Sequence, residues 1–259
     1  MVLSEAGWTE GGSKRFIGHE GGMRGHIRYE ITHENLLSLL GEFLDSPKRV
    51  LDMGGGAGLD ARWLAGMKVP HDVKLMDPDP AMLAEATKHN DGRVEVIQGD
   101  TEAALALFGE AAFDLVLSHG VVMYLPEPGA ELARLARLTR PGGFISLLNA
   151  GRQGKLDRYT QTADQAQLES IAATGHYDNN VGQRARAFSS EEFETMLQKA
   201  RLETIDWFGV RVEHDDDDRP VDSVSAFHRN RVISEELRLS RDAQAREHGQ
   251  MLHFVVRKP

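Results

Sequence analysis

The feature that most constrains this chain is the run Val50-Leu51-Asp52-Met53-Gly54-Gly55-Gly56-Ala57-Gly58. A short apolar stretch ends in an acid, and glycines then fall at positions 54, 56 and 58. The run predicts a buried strand that turns sharply into a helix. Glycine admits positive φ and leaves no Cβ between the backbone and a ligand. In open α/β sheets such a turn lies at the carboxyl ends of the strands, where ligands bind.

The flanking pattern extends this unit. Strands are predicted over 49–53, 73–77, 94–97, 113–118 and 144–148, alternating with helices over 59–67, 80–90 and 128–140. Asp79 and Pro80 read as an N-cap and first helical residue, and Pro141-Gly142-Gly143 as a helix stop. Another helical pattern covers 25–44. Ser189 and Glu192 form a capping box that opens a helix to about Ala200. A strand over 202–212, a helix over 232–247 and a last strand over 251–257 complete the pattern. The expected fold class is α/β: a Rossmann-like, mostly parallel sheet with an antiparallel last strand and helices on both faces. We divide the chain into an arm and helix closing over the site (1–47), a binding core (48–150), an inserted helical cap (151–200) and C-terminal strands and helix (201–259).

Composition narrows the chemistry. The chain holds no cysteine, which excludes disulfides, thiolate catalysis and cysteine-ligated zinc. Glu5 and Glu10 stand in a start without an apolar core, unlike a signal peptide. No apolar run is long enough to span a bilayer, so the expected compartment is the cytoplasm. The formal net charge of -10 does not draw polyanions by its bulk field. A local basic patch remains compatible with nucleic acid.

Asp52 is the first of three acids that end strands. Asp77 follows the second strand, where a carboxylate accepts from ribose hydroxyls. Asp100 follows the third, with Thr101 beside it, where it accepts from an adenine amine. Nicotinamide enzymes also use a glycine turn with a ribose acid about 20 residues on, so Asp77 leaves both readings open. Asp52 stands directly before the turn and can meet a cationic amine. Together with Asp100 and Pro141-Gly142-Gly143, it favours S-adenosylmethionine (SAM).

These residues resemble the class I SAM-dependent methyltransferases. A narrower resemblance runs along nearly the whole chain, to the bacterial family that methylates the carboxyl group of 5-carboxymethoxyuridine in tRNA. Gly25-His26-Ile27-Arg28, Asp52-Met53-Gly54-Gly55-Gly56, Ser118-His119-Gly120-Val121-Val122, Asn149-Ala150 and Gly209-Val210-Arg211-Val212 with His214-Asp215 carry it. The resemblance implies SAM held by Arg28, by Gly54, Gly55 and Gly56, by Asp77 and by His119. Family lysines of the middle region are missing: here it reads His176-Tyr177-Asp178-Asn179-Asn180, with Arg184 and Arg186 nearby.

Each remaining candidate has two readings. Arg28 either clamps the methionine carboxylate or decorates a surface helix. His119 is either a contact to cofactor or acceptor, or a buried histidine bonded to backbone. Arg211 either neutralises an acceptor carboxylate or pairs with a neighbouring acid. We assign catalysis to His119 and Arg211. Tyr124 either closes over adenosine or fills the core. His214 with Asp215-Asp216-Asp217-Asp218 reads as a solvated turn rather than a metal site, and no metal is expected. A carboxylate acceptor is already ionised at neutral pH and needs no general base, which fits the absence of a base constellation. The expected function is O-methylation of an anionic acceptor, with the carboxymethoxy group of a tRNA uridine as one candidate. The alternatives are a small-molecule methyltransferase and a SAM-binding protein without transfer activity.

Overall fold

The computed structural model describes residues 12–13, 15–17 and 21–259. Most of the arm over residues 1–20 lies outside these. Five parallel strands form the first part of the sheet: β1 (Arg49–Met53), β2 (Asp72–Asp77), β3 (Val94–Gln98), β4 (Phe113–His119) and β5 (Thr139–Ala150). β8 (Glu203–Val210) and β9 (Met251–Arg257) complete it in the order β3-β2-β1-β4-β5-β9-β8. β9 is antiparallel to both neighbours, as expected.

Helices cover both faces because strand residues alternate between them. Leu51, Met53 and Val116 face a core that includes Met23, Ile27 and Ile31 of α1 (Met23–Leu44) and Leu132 and Leu135 of α5 (Pro128–Leu138). Val50, Leu115 and Leu117 face the other core. There they meet Leu36 and Leu40 of α1, Ala61 and Leu64 of α2 (Leu59–Ala65), and Ala86 of α3 (Pro80–Lys88). α4 (Thr101–Phe108) follows β3.

After β5 the chain forms α6 (Arg152–Gln161), α7 (Gln165–Thr174) and a ribbon of β6 (His176–Asp178) with β7 (Arg184–Arg186). α8 (Ser190–Lys199), capped by Ser189, packs on the sheet: Phe193 and Leu197 are buried, and the Phe193 ring lies 5.1 Å from that of Phe254. Only the part of 151–200 before α8 faces the site.

Two boundaries differ from the sequence reading. Pro141-Gly142-Gly143 lies inside β5 rather than between helix and strand, because Thr139 already pairs with Phe113 and the Gly142 N–H donates to Lys258 O at 2.7 Å. The helix read at 232–247 is α9 (Ala226–Arg241), which starts earlier because the Ser225 side chain caps it. It ends at Asp242, whose side chain turns back to the Gln244 and Ala245 N–H groups.

Candidate active site

The glycine turn opens a cavity of about 580 Å³ at the carboxyl ends of the strands. Its two halves differ in chemistry.

The first half carries the acids expected from sequence. Asp52 is buried, and its Oδ2 has no hydrogen-bond partner among the described residues. Burial first, then the nearby Asp60, pushes its carboxyl well above the usual range. A buried, unpartnered carboxyl oxygen is costly unless a partner arrives, and a cationic amine fits it. Asp77 Oδ1 accepts from Asp79 N at 2.8 Å, and its Oδ2 from Gly56 N at 3.0 Å. Burial raises its pKa to about 6. Asp77 therefore ties the end of β2 to the glycine turn and still lines the cavity. Gly54 and Gly56 have φ of 71° and 54°. A Cβ at Gly54 would run into Val121, whereas one at Gly56 would meet nothing nearer than Met82 Sδ at 3.8 Å. Gly56 thus opens onto space and Gly54 onto packed protein. Asp100 Oδ1 caps α4 through Ala103 N at 2.9 Å. Thr101 is buried and donates to Glu131. Both line the cavity.

His119 lies where expected, at the end of β4, but both ring nitrogens are engaged. Nδ1 meets Asp60 Oδ2 at 2.9 Å and Nε2 meets Ser146 Oγ at 2.8 Å. His33 Nε2 holds the other Asp60 oxygen at 2.7 Å. Burial alone would raise the Asp60 carboxyl, but the two imidazoles carry it well below its ordinary value. The partners are side chains rather than the backbone. His119 thus ties Asp60 and Ser146 together beside the glycine turn and lines the cavity.

The second half of the cavity is cationic. Arg211 directly follows β8 in the left-handed region, with φ 56°. A non-glycine residue held there is strained, as functional sites often are. Its Nε lies 3.3 Å from Asp215 Oδ1. Arg211 pairs with an acid, as one of its two sequence readings has it, and it also lines the cavity. Asp215 is no solvated turn residue: it is buried and also pairs with Arg24 at 3.5 Å and with Arg158. Burial would raise its carboxyl, but Arg211, Lys155, Arg24 and Arg158 together lower it. His214 instead pairs outward with Glu235 at 3.1 Å. Among the described residues no cluster of metal-ligand side chains occurs. Arg28 and Tyr124 also line the cavity. The Arg28 guanidinium lies 4.8 Å from the Tyr29 ring centroid, and Tyr124 Oη accepts from Asn179 at 2.8 Å.

Sequence reading missed Arg24, Lys155, Arg158 and Tyr177, which line this half. Arg24 sits four residues before Arg28, one helical turn away, and Lys155 and Arg158 follow the carboxyl end of β5. Those positions were the available signal. The N-terminus of α1 is brought over the site by Met23 N donating to Arg219 O at 2.9 Å and Val221 N to Gly21 O at 3.1 Å.

Residues 51–147 match the family described as a methyltransferase domain, in line with the Rossmann-like sheet and its glycine turn. The chain is similar to the tRNA 5-carboxymethoxyuridine methyltransferase of Escherichia coli K12, 32% identical over 52% of this chain and 53% of that protein. It is also similar to a trans-aconitate 2-methyltransferase of Methylobacterium nodulans, 34% identical over 40% of this chain and 39% of that protein. The chain thus spans about half or less of the length of these curated relatives. Among solved structures it resembles the 1,6-didemethyltoxoflavin N1-methyltransferase of Burkholderia thailandensis, with a TM-score of 0.56 and 20% identity over 91% of this chain and 79% of that one. That likeness speaks to the fold.

Proposed function

We propose that this protein transfers the methyl group of SAM to a carboxylate oxygen of an anionic acceptor. The observation that carries the reading is the convergence of Arg24, Arg158, Arg211 and Lys155 on the half of the cavity facing away from the acidic cofactor cradle. Bound SAM would supply an activated methyl group. Asp52 would hold its amine, Arg28 its carboxylate, and Asp77 with the Gly56 backbone its ribose. The arginines would attract and orient the acceptor, and the ring of aromatic side chains would exclude water. A carboxylate arrives ionised, so the engaged His119 is not needed as a base.

A small-molecule acceptor is favoured by the pairing of arginines on the protein surface. Arg184 pairs with Asp178, Arg219 with Asp217 and Arg134 with Glu102, while Arg186 and Arg152 share Glu192. A tRNA-binding face needs unbalanced cations to displace counterions. The tRNA reading has its own support in the similarity to the Escherichia coli enzyme. Methyl-labelled SAM, offered with deacylated tRNA and separately with a small-metabolite extract, tests the choice. Label in the metabolite fraction is expected; label confined to tRNA overturns the small-molecule reading.

A further inference from the structure

Among the described residues, Lys155 is the cation of the acceptor half that no carboxylate holds. It is buried on α6, and its Nζ donates to Gln250 Oε1 at 3.0 Å. The Gln250 amide is fixed in turn, because its Nε2 donates to Gly154 O at 2.6 Å. Helix α6 is pressed close at this point: a Cβ on Gly154 would strike the backbone of Gly249. The Tyr177 ring lies 5.2 Å from Nζ. An ammonium has three donors, and only one is used among the described residues.

The groups around Lys155 explain why it is spare. Arg24 comes from α1, Arg158 from its own helix, and Arg211 and Asp215 from the segment after β8. Asp215 is the one buried carboxylate in that frame. Asp216 and Asp218 touch Arg158 and Arg24 from the rim with side chains 86% and 66% exposed. Three guanidiniums are always charged; against Asp215 and Asp218, which accepts from Arg24 at 3.2 Å, they keep a surplus of one positive charge, with Asp216 left largely to solvent. One acceptor carboxylate matches that surplus. A second needs another cation.

We propose that Lys155 reads a second negative charge on the acceptor, so that the enzyme selects small molecules bearing two carboxylates. The inference rests on the carboxylate-acceptor reading and adds to it the number of charges. In the empty cavity burial, with the arginines adding to it against Asp215, lowers Lys155 to about 7. A monoanion leaves that balance nearly unchanged. A dianion draws a proton from solvent onto Nζ, which then donates to the second carboxylate. No bond other than N–H forms in this step.

The test uses the full-length protein loaded with S-adenosylhomocysteine, with glutarate as dianion and butyrate as monoanion. Calorimetry at pH 8 in two buffers of different ionisation enthalpy gives affinity and proton uptake together. Glutarate is expected to bind at least about tenfold more tightly than butyrate. It should take up roughly half a proton or more, while butyrate takes up much less. Lys155→Met should erase both the preference and the uptake. Lys155→Arg should keep the preference without the uptake, since arginine is always charged. Equal affinities, or glutarate binding without proton uptake in the wild-type protein, overturn the inference while leaving a carboxylate acceptor intact. The wild-type uptake needs no variant to fold. If neither acid binds although S-adenosylhomocysteine does, the carboxylate-acceptor reading itself fails.

Discussion

Asp77 Oδ2 accepts a hydrogen bond from the Gly56 backbone N–H at 3.0 Å, so one carboxylate both shapes the glycine turn and faces the cavity that the turn creates. Asp77→Ala is expected to weaken SAM binding by roughly 1.5–3 kcal/mol, through the lost acceptor and the loosened turn. Gly56→Val should abolish SAM binding while the protein stays folded, at a backbone cost of about 1–3 kcal/mol for its positive φ. Gly54→Ala should act mainly on the fold, because its Cβ meets Val121. Calorimetry beside urea unfolding separates the two glycines. Normal SAM affinity in folded Gly56→Val would remove the turn from the cofactor site.

Asp52 offers a proton signature. Its carboxyl is held well above the usual range when the cavity is empty, chiefly by burial. A cationic amine beside Oδ2 favours the ionised form and drives the proton off. SAM binding is therefore expected to release protons at pH 6, and less as pH rises, because fewer carboxyls start protonated. Asp52→Asn should bind more weakly and lose that release. Unchanged proton release in Asp52→Asn would assign it elsewhere.

Arg28 and Arg211 should divide the two ligands between them. Arg211→Met is expected to leave SAM affinity within about threefold, under roughly 0.7 kcal/mol, and to depress methyl transfer far more, because acceptor orientation is lost. Asp215 retains Arg24 and Arg158 in that variant, so the fold should survive. Arg28→Met should weaken SAM first. Intact methyl transfer in Arg211→Met would make the residue a structural partner of Asp215 only.

Lys155 should cost stability in the empty protein. Its folded pKa of about 7 lies below the ordinary 10.5, so the folded chain binds fewer protons than the unfolded chain between those values. The penalty is full below pH 7 and is relieved as pH rises toward 10.5. Lys155→Met is thus expected to raise unfolding free energy near neutrality by on the order of a few kcal/mol, with the gain shrinking at pH 9.5. Urea unfolding at the two pH values reads it. A pH-independent difference would mean that Lys155 is not buried as a neutral amine.

The sheet and cofactor cradle were legible because their signals are local. Asp52, Gly54, Gly56 and Asp77 sit at strand ends, where backbone geometry decides the residue. The acceptor half was largely hidden because its parts come from distant segments. Arg24, Lys155, Arg158 and Asp215 meet only once α1, α6 and the turn after β8 close together. Asp215 looked like part of a hydrated acidic run for the same reason. The position of His119 at the end of β4 was legible, but its partners were not, since Asp60 and Ser146 are 59 and 27 positions away in sequence.

The chemistry of the transferred methyl tests methylation of a carboxylate most directly. Methyl esters release methanol in mild base, whereas methyl groups on nitrogen, carbon or an ether oxygen do not. The protein should be incubated with methyl-tritiated SAM and a small-metabolite extract, and the product then treated with mild base. Transferred label is expected to leave as volatile methanol, and the yield should collapse in Arg211→Met. Label that is transferred but stays base-stable would contradict a carboxylate acceptor.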